Sequence, residues 1–128
     1  MTLVFDASAA TKWFEADEVS ADESLGYLMD EDSRVWIPDN CAHEVVNGVF
    51  RRVDAVSAAR AWTWMREAGV TIACADESLV VEALLVAEQL GCDYYDALAP
   101  ALARMLDGTL ISADRRAHAT FPDVVLLG

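Results

Sequence analysis

The sequence predicts an α/β fold: a parallel sheet covered by helices on both faces. Short apolar runs alternate with stretches of helical periodicity along the whole chain. The runs are continuous rather than alternating apolar with polar, which suits strands buried on both faces. No two-residue turn signal joins any two of them, so no hairpin is expected. No linker, repeat or low-complexity stretch divides the chain, and a single domain over 1–128 is expected.

Leu3-Val4-Phe5 reads as the first strand, running straight into Asp6, Ala7 and Ser8. A short helix is expected from Ala9 to Phe14 and another from Asp22 to Met29. Arg34-Val35-Trp36-Ile37 is the second strand, closed by Pro38, after which Asp39-Asn40 offers capping chemistry for a helix from Cys41 to Arg52. Val45, Val49 and Val53 recur every four residues on one face of that helix. The next helix, Ser57 to Ala68, ends at Gly69, and Val70 to Ala73 is the third strand. Asp76 caps a helix that runs to Leu90 and stops at Gly91. Tyr94 to Leu106 forms one more helix, Thr109 to Ser112 the fourth strand, and Asp114 leads into a short helix from Arg115. Val124 to Leu127 is the fifth strand.

With 55% hydrophobic and 24% charged residues the chain belongs to the globular class. No apolar run approaches the roughly 18 residues of a membrane span. The N-terminus lacks a basic region followed by an apolar one, so a cytoplasmic protein is expected. Cys41, Cys74 and Cys92 stand far apart, and neither His43 nor His118 has ligand-like spacing with them, which argues against zinc and disulfides. The net charge of −13 disfavours binding to a polyanion through the general surface. Such binding then needs divalent cations held by acids, or a local patch made mostly of arginine, since Lys12 is the only lysine.

Ligands of open α/β sheets bind in the crevice outside the carboxyl ends of the strands. Asp6 and Asp114 each follow a strand, Glu44 lies in the first turns of the helix after strand two, and Asp96 near the start of the helix before strand four. Singly, each reads better as a structural acid than a functional one, Asp6 and Asp114 as helix caps and Asp96 and Glu44 as first-turn acids. If the first and fourth strands are neighbours, all four meet at one edge, where unneutralised carboxylates would raise one another's pKa values. An all-oxygen cluster selects Mg²⁺ or Mn²⁺, and such a cation at a sheet edge supports phosphate chemistry with an activated water. Ser8 and Ser112 are close to this edge without an evident histidine base, and read as turn formers or as hydrogen-bonding support rather than nucleophiles.

Four stretches in order, Asp6 to Phe14 (DASAATKWF), His43 to Arg52 (HEVVNGVFRR), Tyr95 to Ala99 (YDALA) and Ile111 to Arg116 (ISADRR), resemble the PIN-domain family, and within it the VapC-type ribonuclease toxins of toxin–antitoxin pairs. The resemblance implies a three-layer α/β/α fold with five parallel strands in the order 3-2-1-4-5, which makes strands one and four neighbours. It implies Mg²⁺- or Mn²⁺-dependent cleavage of single-stranded RNA to a 5′-phosphate and a 3′-hydroxyl. It carries catalytic and metal-site roles over to Asp6, Glu44, Asp96 and Asp114, and supporting roles to Asn47 and Ser112. It further implies a homodimer and a small antitoxin whose tail enters the acidic groove.

Arg115, Arg116 and Lys12 flank these acids in sequence and are candidates to hold RNA phosphates. Arg51 and Arg52 read as cations placed at a helix C-terminus. One departure from the family is Pro100, where relatives typically carry a large residue; it has no N–H for the carbonyl of Asp96, is harmless in the first turn if the helix begins near Ala97, and kinks the helix if it begins near Tyr94. A phospho-receiver domain needs a lysine after a late strand, and a haloacid-dehalogenase-type phosphatase needs a second acid where Ser8 stands; neither fits. The alternative to a nuclease is a PIN-like binding module, weak in catalysis because of Pro100 and the acidic surface.

Overall fold

The computed structural model describes residues 1–15 and 19–128. Its elements follow in order as β1 (Thr2–Phe5), α1 (Ala7–Ala10), a 3₁₀ turn (Thr11–Phe14), α2 (Ala21–Met29), β2 (Arg34–Pro38), α3 (Asp39–Arg52), α4 (Ala55–Glu67), β3 (Thr71–Ala73), α5 (Glu77–Leu90), α6 (Tyr94–Met105), β4 (Thr109–Ser112), α7 (Arg115–His118) and β5 (Val124–Leu126). The five strands form one sheet in the order β3-β2-β1-β4-β5, every pair parallel, in agreement with the order the resemblance implies.

β1 is the central strand, and Leu3, Val4 and Phe5 are buried on both faces, as a continuous apolar run requires. The helix packed against it, α6, is buried from Ala97 to Ala103, and its small alanines let it lie close to the sheet. Because the chain leaves β1 toward β2 on one side and reaches β4 on the other, the crevice of the sheet opens between β1 and β4. Register fixes what stands there. Phe5 pairs with Ile111, and the Asp6 amide donates to the Ile111 carbonyl at 3.2 Å, so Asp6 emerges beside Ser112 and just ahead of Asp114.

Several helix ends follow the expected chemistry. Asp76 Oδ1 accepts from the Leu79 amide at 2.9 Å, and Gly69 and Gly91 take positive φ past the ends of α4 and α5. Other ends differ. α1 begins at Ala7 rather than Ala9, because Asp6 itself is its cap. α4 begins at Ala55, capped by Asp54. Asp39 and Asn40 do not cap α3: the helix already includes both, follows Pro38, and has no side-chain cap bond. Pro38, with φ −62° set by its ring and ψ 146° still extended, precedes the helix and leaves Asp39 at the first helical position, where its Oδ1 accepts from the Asn40 amide at 2.8 Å. The Asn40 side-chain amide is buried with no partner among the described residues.

Candidate active site

The site is built on Asp6. The residue is 5% exposed, and both carboxylate oxygens accept hydrogen bonds from the protein. Oδ1 accepts from Ser8 Oγ at 2.7 Å and from the Ala9 amide at 2.9 Å. Oδ2 accepts from Ser112 Oγ at 2.7 Å and lies 3.0 Å from His118 Nδ1. Those bonds fill the four acceptor positions of a carboxylate. Asp6 is thus both the cap of α1 and the anchor of a network that joins β1 to β4.

The two serines complete that network. Ser8 Oγ accepts from the Ala113 amide at 2.9 Å, and Ser112 Oγ accepts from the Asp114 amide at 3.0 Å. The sequence gives no sign that Ser112 has a histidine beside it, yet His118 Nδ1 lies 2.8 Å from its Oγ. This does not make Ser112 a nucleophile: its hydroxyl is fully buried and donates to Asp6. A nucleophile–base pair needs the base to take that proton and the oxygen to face substrate.

His118 is the residue that sequence reasoning missed. It is 2% exposed, and its Nε2 lies 2.6 Å from the main-chain carbonyl of Asp96. A carbonyl only accepts, so Nε2 carries a hydrogen. Because the Ser112 hydroxyl donates to Asp6, Nδ1 is left facing two oxygens as a donor and carries a hydrogen as well. Burial alone would push the His118 pKa down, but the bonds to Asp6 and to the Asp96 carbonyl hold it above its ordinary value. The one available signal was its place a single turn after Asp114, on the same face of α7.

Asp6, Glu44, Asp96 and Asp114 all line a single cavity of about 100 Å³, with His118, Ser8 and the buried Cys41 also in its wall. Each acid arrives from its own element: the end of β1, the second turn of α3, the first turn of α6 and the turn after β4. Asp114 caps α7, with Oδ1 accepting from Ala117 at 3.1 Å. Asp96 is not the cap of α6; that role falls to Asp93, whose Oδ1 accepts from Tyr95 at 2.8 Å, so the Asp96 carboxylate faces the cavity unspent. Partial burial, then the charges of Asp96 and Asp6, raises the Glu44 pKa. Asp96 is raised by burial and then chiefly by Asp114, with His118 opposing. Burial and the surrounding acids keep the Cys41 thiol protonated.

Asn47 is exposed one turn beyond Glu44 and does not line this cavity. Arg115 is exposed on α7, while Arg116 lines an adjoining hollow of about 370 Å³ that shares Asp96 and Asp114 with the first. Lys12 Nζ donates to the Val19 carbonyl at 2.6 Å. Tyr95, 63% exposed, stands at the rim of the acidic cavity.

The donor set suits a hard divalent cation: four carboxylates, surplus negative charge, and room for an ion with part of its water. Among the described residues no three His, Cys, Asp or Glu side chains converge tightly enough to grip an ion by themselves. Mg²⁺ does not need such a grip, because it keeps several waters and is held through one or two carboxylates together with substrate phosphates.

The PIN domain model matches residues 3–122 of the chain. The chain belongs to the PIN domain family. No curated protein matches it in sequence. Among solved structures it is similar to a toxin–antitoxin complex from Klebsiella pneumoniae, with a TM-score of 0.76 at 18% identity over 96% of this chain and 95% of that one. It is also similar to VapBC2 from Rickettsia felis bound to a promoter DNA fragment, with a TM-score of 0.74 at 14% identity over 98% and 97% of the two chains. A third is VapC20 from Mycobacterium tuberculosis, a Sarcin–Ricin loop cleaving toxin, with a TM-score of 0.74 at 16% identity over 95% and 98%. At these identities the likeness shows a shared PIN fold. Among the described residues no helix is long and apolar enough to cross a membrane.

Proposed function

We propose that residues 1–128 form one PIN-like domain that acts as a Mg²⁺- or Mn²⁺-dependent endoribonuclease on single-stranded RNA, the toxin of a VapC-type toxin–antitoxin pair. The observation that carries this reading is the meeting of Asp6, Glu44, Asp96 and Asp114, from four separate elements, around one cavity at the carboxyl ends of β1 and β4. Asp96 and Glu44, whose carboxylates accept no protein hydrogen bond among the described residues, would contact the cation first. Asp6, with its acceptor positions taken by protein donors, would add charge from behind them, and Asp114 directly or through water. Bound there, the cation supplies an activated water and offsets charge on the leaving oxygen.

The chain's own residues do the rest. Ser8, Ser112 and His118 hold Asp6 in place, as outer-layer partners of metal-binding carboxylates do. Arg116 lines the adjoining hollow, where it is set to take a phosphate, and its exposed neighbour Arg115 and Lys12 are further candidates for the RNA backbone. Tyr95 at the rim offers a ring for an unstacked base. The comparisons with toxin–antitoxin complexes support a small antitoxin as partner, and we extend the reading to a cytoplasmic homodimer.

The purified protein with Mn²⁺ is expected to cleave RNA in its loops, and Asp6→Asn to lower the rate at least about 100-fold without loss of fold, read on gels beside far-UV circular dichroism. Equal cleavage by Asp6→Asn would assign the activity to a contaminant. A second reading, a PIN-like module that binds RNA or protein without cutting, draws on the saturation of Asp6 by protein donors. Failure of the wild-type protein to cleave a broad RNA panel would favour it.

A further inference from the structure

Two residues outside the acid set meet at one main-chain oxygen. Pro100 lies buried inside α6, and without an N–H it leaves the carbonyl of Asp96, four residues earlier, with no helical partner. A main-chain carbonyl kept from water needs a donor from elsewhere. His118 Nε2 provides it at 2.6 Å. The other side of the ring reaches Ser112 Oγ at 2.8 Å and Asp6 Oδ2 at 3.0 Å. One buried ring therefore ties the backbone of one acid to the side chain of another, across the wall of their common cavity.

We propose that His118 is a positioning residue that fixes Asp6 and Asp96 relative to each other, and that Pro100 makes it indispensable by withholding the amide that would otherwise occupy the Asp96 carbonyl. A ring that merely filled space would need neither bond; here both nitrogens are engaged, and with acceptors that belong to two different acids. Asp96 sits in the first turn of α6, so whatever holds its carbonyl also sets the direction from which its side chain enters the cavity. Proline and histidine thus form a matched pair, remote in sequence and joined through one oxygen.

This inference rests on the nuclease reading only in using the cation as probe, and a double-mutant cycle separates the two. Asparagine reaches as far as Nδ1 of histidine but not as far as Nε2, so His118→Asn keeps a donor toward Asp6 and loses the one to Asp96. Pro100→Ala restores an amide at position 100 that can take the Asp96 carbonyl within the helix. Mn²⁺ affinity of the full chain is read from the loss of the free-ion electron paramagnetic resonance signal, with Glu44→Gln as the control that locates the ion. His118→Asn is expected to weaken Mn²⁺ binding about 10-fold or more in the Pro100 chain, and less than about 2-fold once Pro100→Ala is present. An equal loss in both backgrounds, or no loss in either, overturns the inference and leaves the nuclease reading standing. Absence of Mn²⁺ binding by the wild-type protein overturns the reading and the inference together. Thermal melts of the same four proteins give a second readout: additive shifts in melting temperature also overturn the pairing of Pro100 with His118.

Discussion

Glu44 and Asp96 show most directly what the site lacks by itself. Both carboxyls are raised above their ordinary values of 4.5 and 3.8, by burial first and then by neighbouring acids. An acid whose pKa is higher in the fold than in the unfolded chain binds protons more readily when folded. Its favourable contribution is complete below the ordinary value and is lost as the pH rises through the raised one. In chelator the protein should therefore melt at a lower temperature near pH 7 than near pH 5, with these two acids pulling in that direction. Glu44→Gln should raise the melting temperature near pH 7 and change it little near pH 3, where both forms are neutral. A melting temperature that falls on Glu44→Gln at neutral pH would show that Glu44 is engaged by a cation group instead of being repelled. At this scale the sequence was informative about the acids, since Asp6 and Asp114 follow strands and Glu44 and Asp96 lie in the opening turns of helices whose pattern is readable. It was silent about His118, because a lone histidine carries no periodicity and its partners, Asp6 and Asp96, are brought to it only by the closing of the sheet.

Among the elements, β1 and β4 position the site, and the turn that feeds β4 shows how tightly. Gly108 takes no positive φ, so its need for glycine is not conformational. A Cβ there would stand 2.8 Å from the Thr2 carbonyl oxygen and 3.0 Å from Thr2 Cγ2, one pair ahead of Leu3 and Thr109 in the ladder. Backbone cannot rotate aside as a long side chain can. Gly108→Ala should therefore destabilise the fold by about 1–3 kcal/mol, as overpacking does, seen as a lower urea midpoint at unchanged slope. An unchanged midpoint would mean that β1 and β4 tolerate a shift at their start. Strand and helix identities were legible because apolar runs and helical periodicity are local. The start of α3 was not, because Asp39 and Asn40 are both good capping residues while the cap position is held by Pro38, which has no side-chain bond to mark it. Nor was the order of the strands: it came from the family resemblance, since pattern alone does not say that β4 lies beside β1.

The whole molecule carries a net charge of −13, and this sets how a polyanion can reach the crevice. A basic nuclease gains affinity by releasing counterions from RNA, so its binding weakens steeply with added salt. On the proposed reading the general surface repels RNA, while the attraction comes from Arg115, Arg116, Lys12 and whatever cation the acids hold. Monovalent salt then screens a net repulsion over a distance of about 10 Å at 0.1 M. In chelator, binding of a labelled single-stranded RNA should be weak and should hold steady or strengthen between about 50 and 200 mM KCl, opposite in sign to the usual dependence. Adding Mg²⁺ should strengthen it further by neutralising the acidic wall, and Asp96→Asn should blunt that gain. Fluorescence anisotropy measures both trends. A steep loss of affinity with KCl would relocate RNA to a basic patch away from the acids, and the cavity between β1 and β4 would lose its standing as the place where substrate binds.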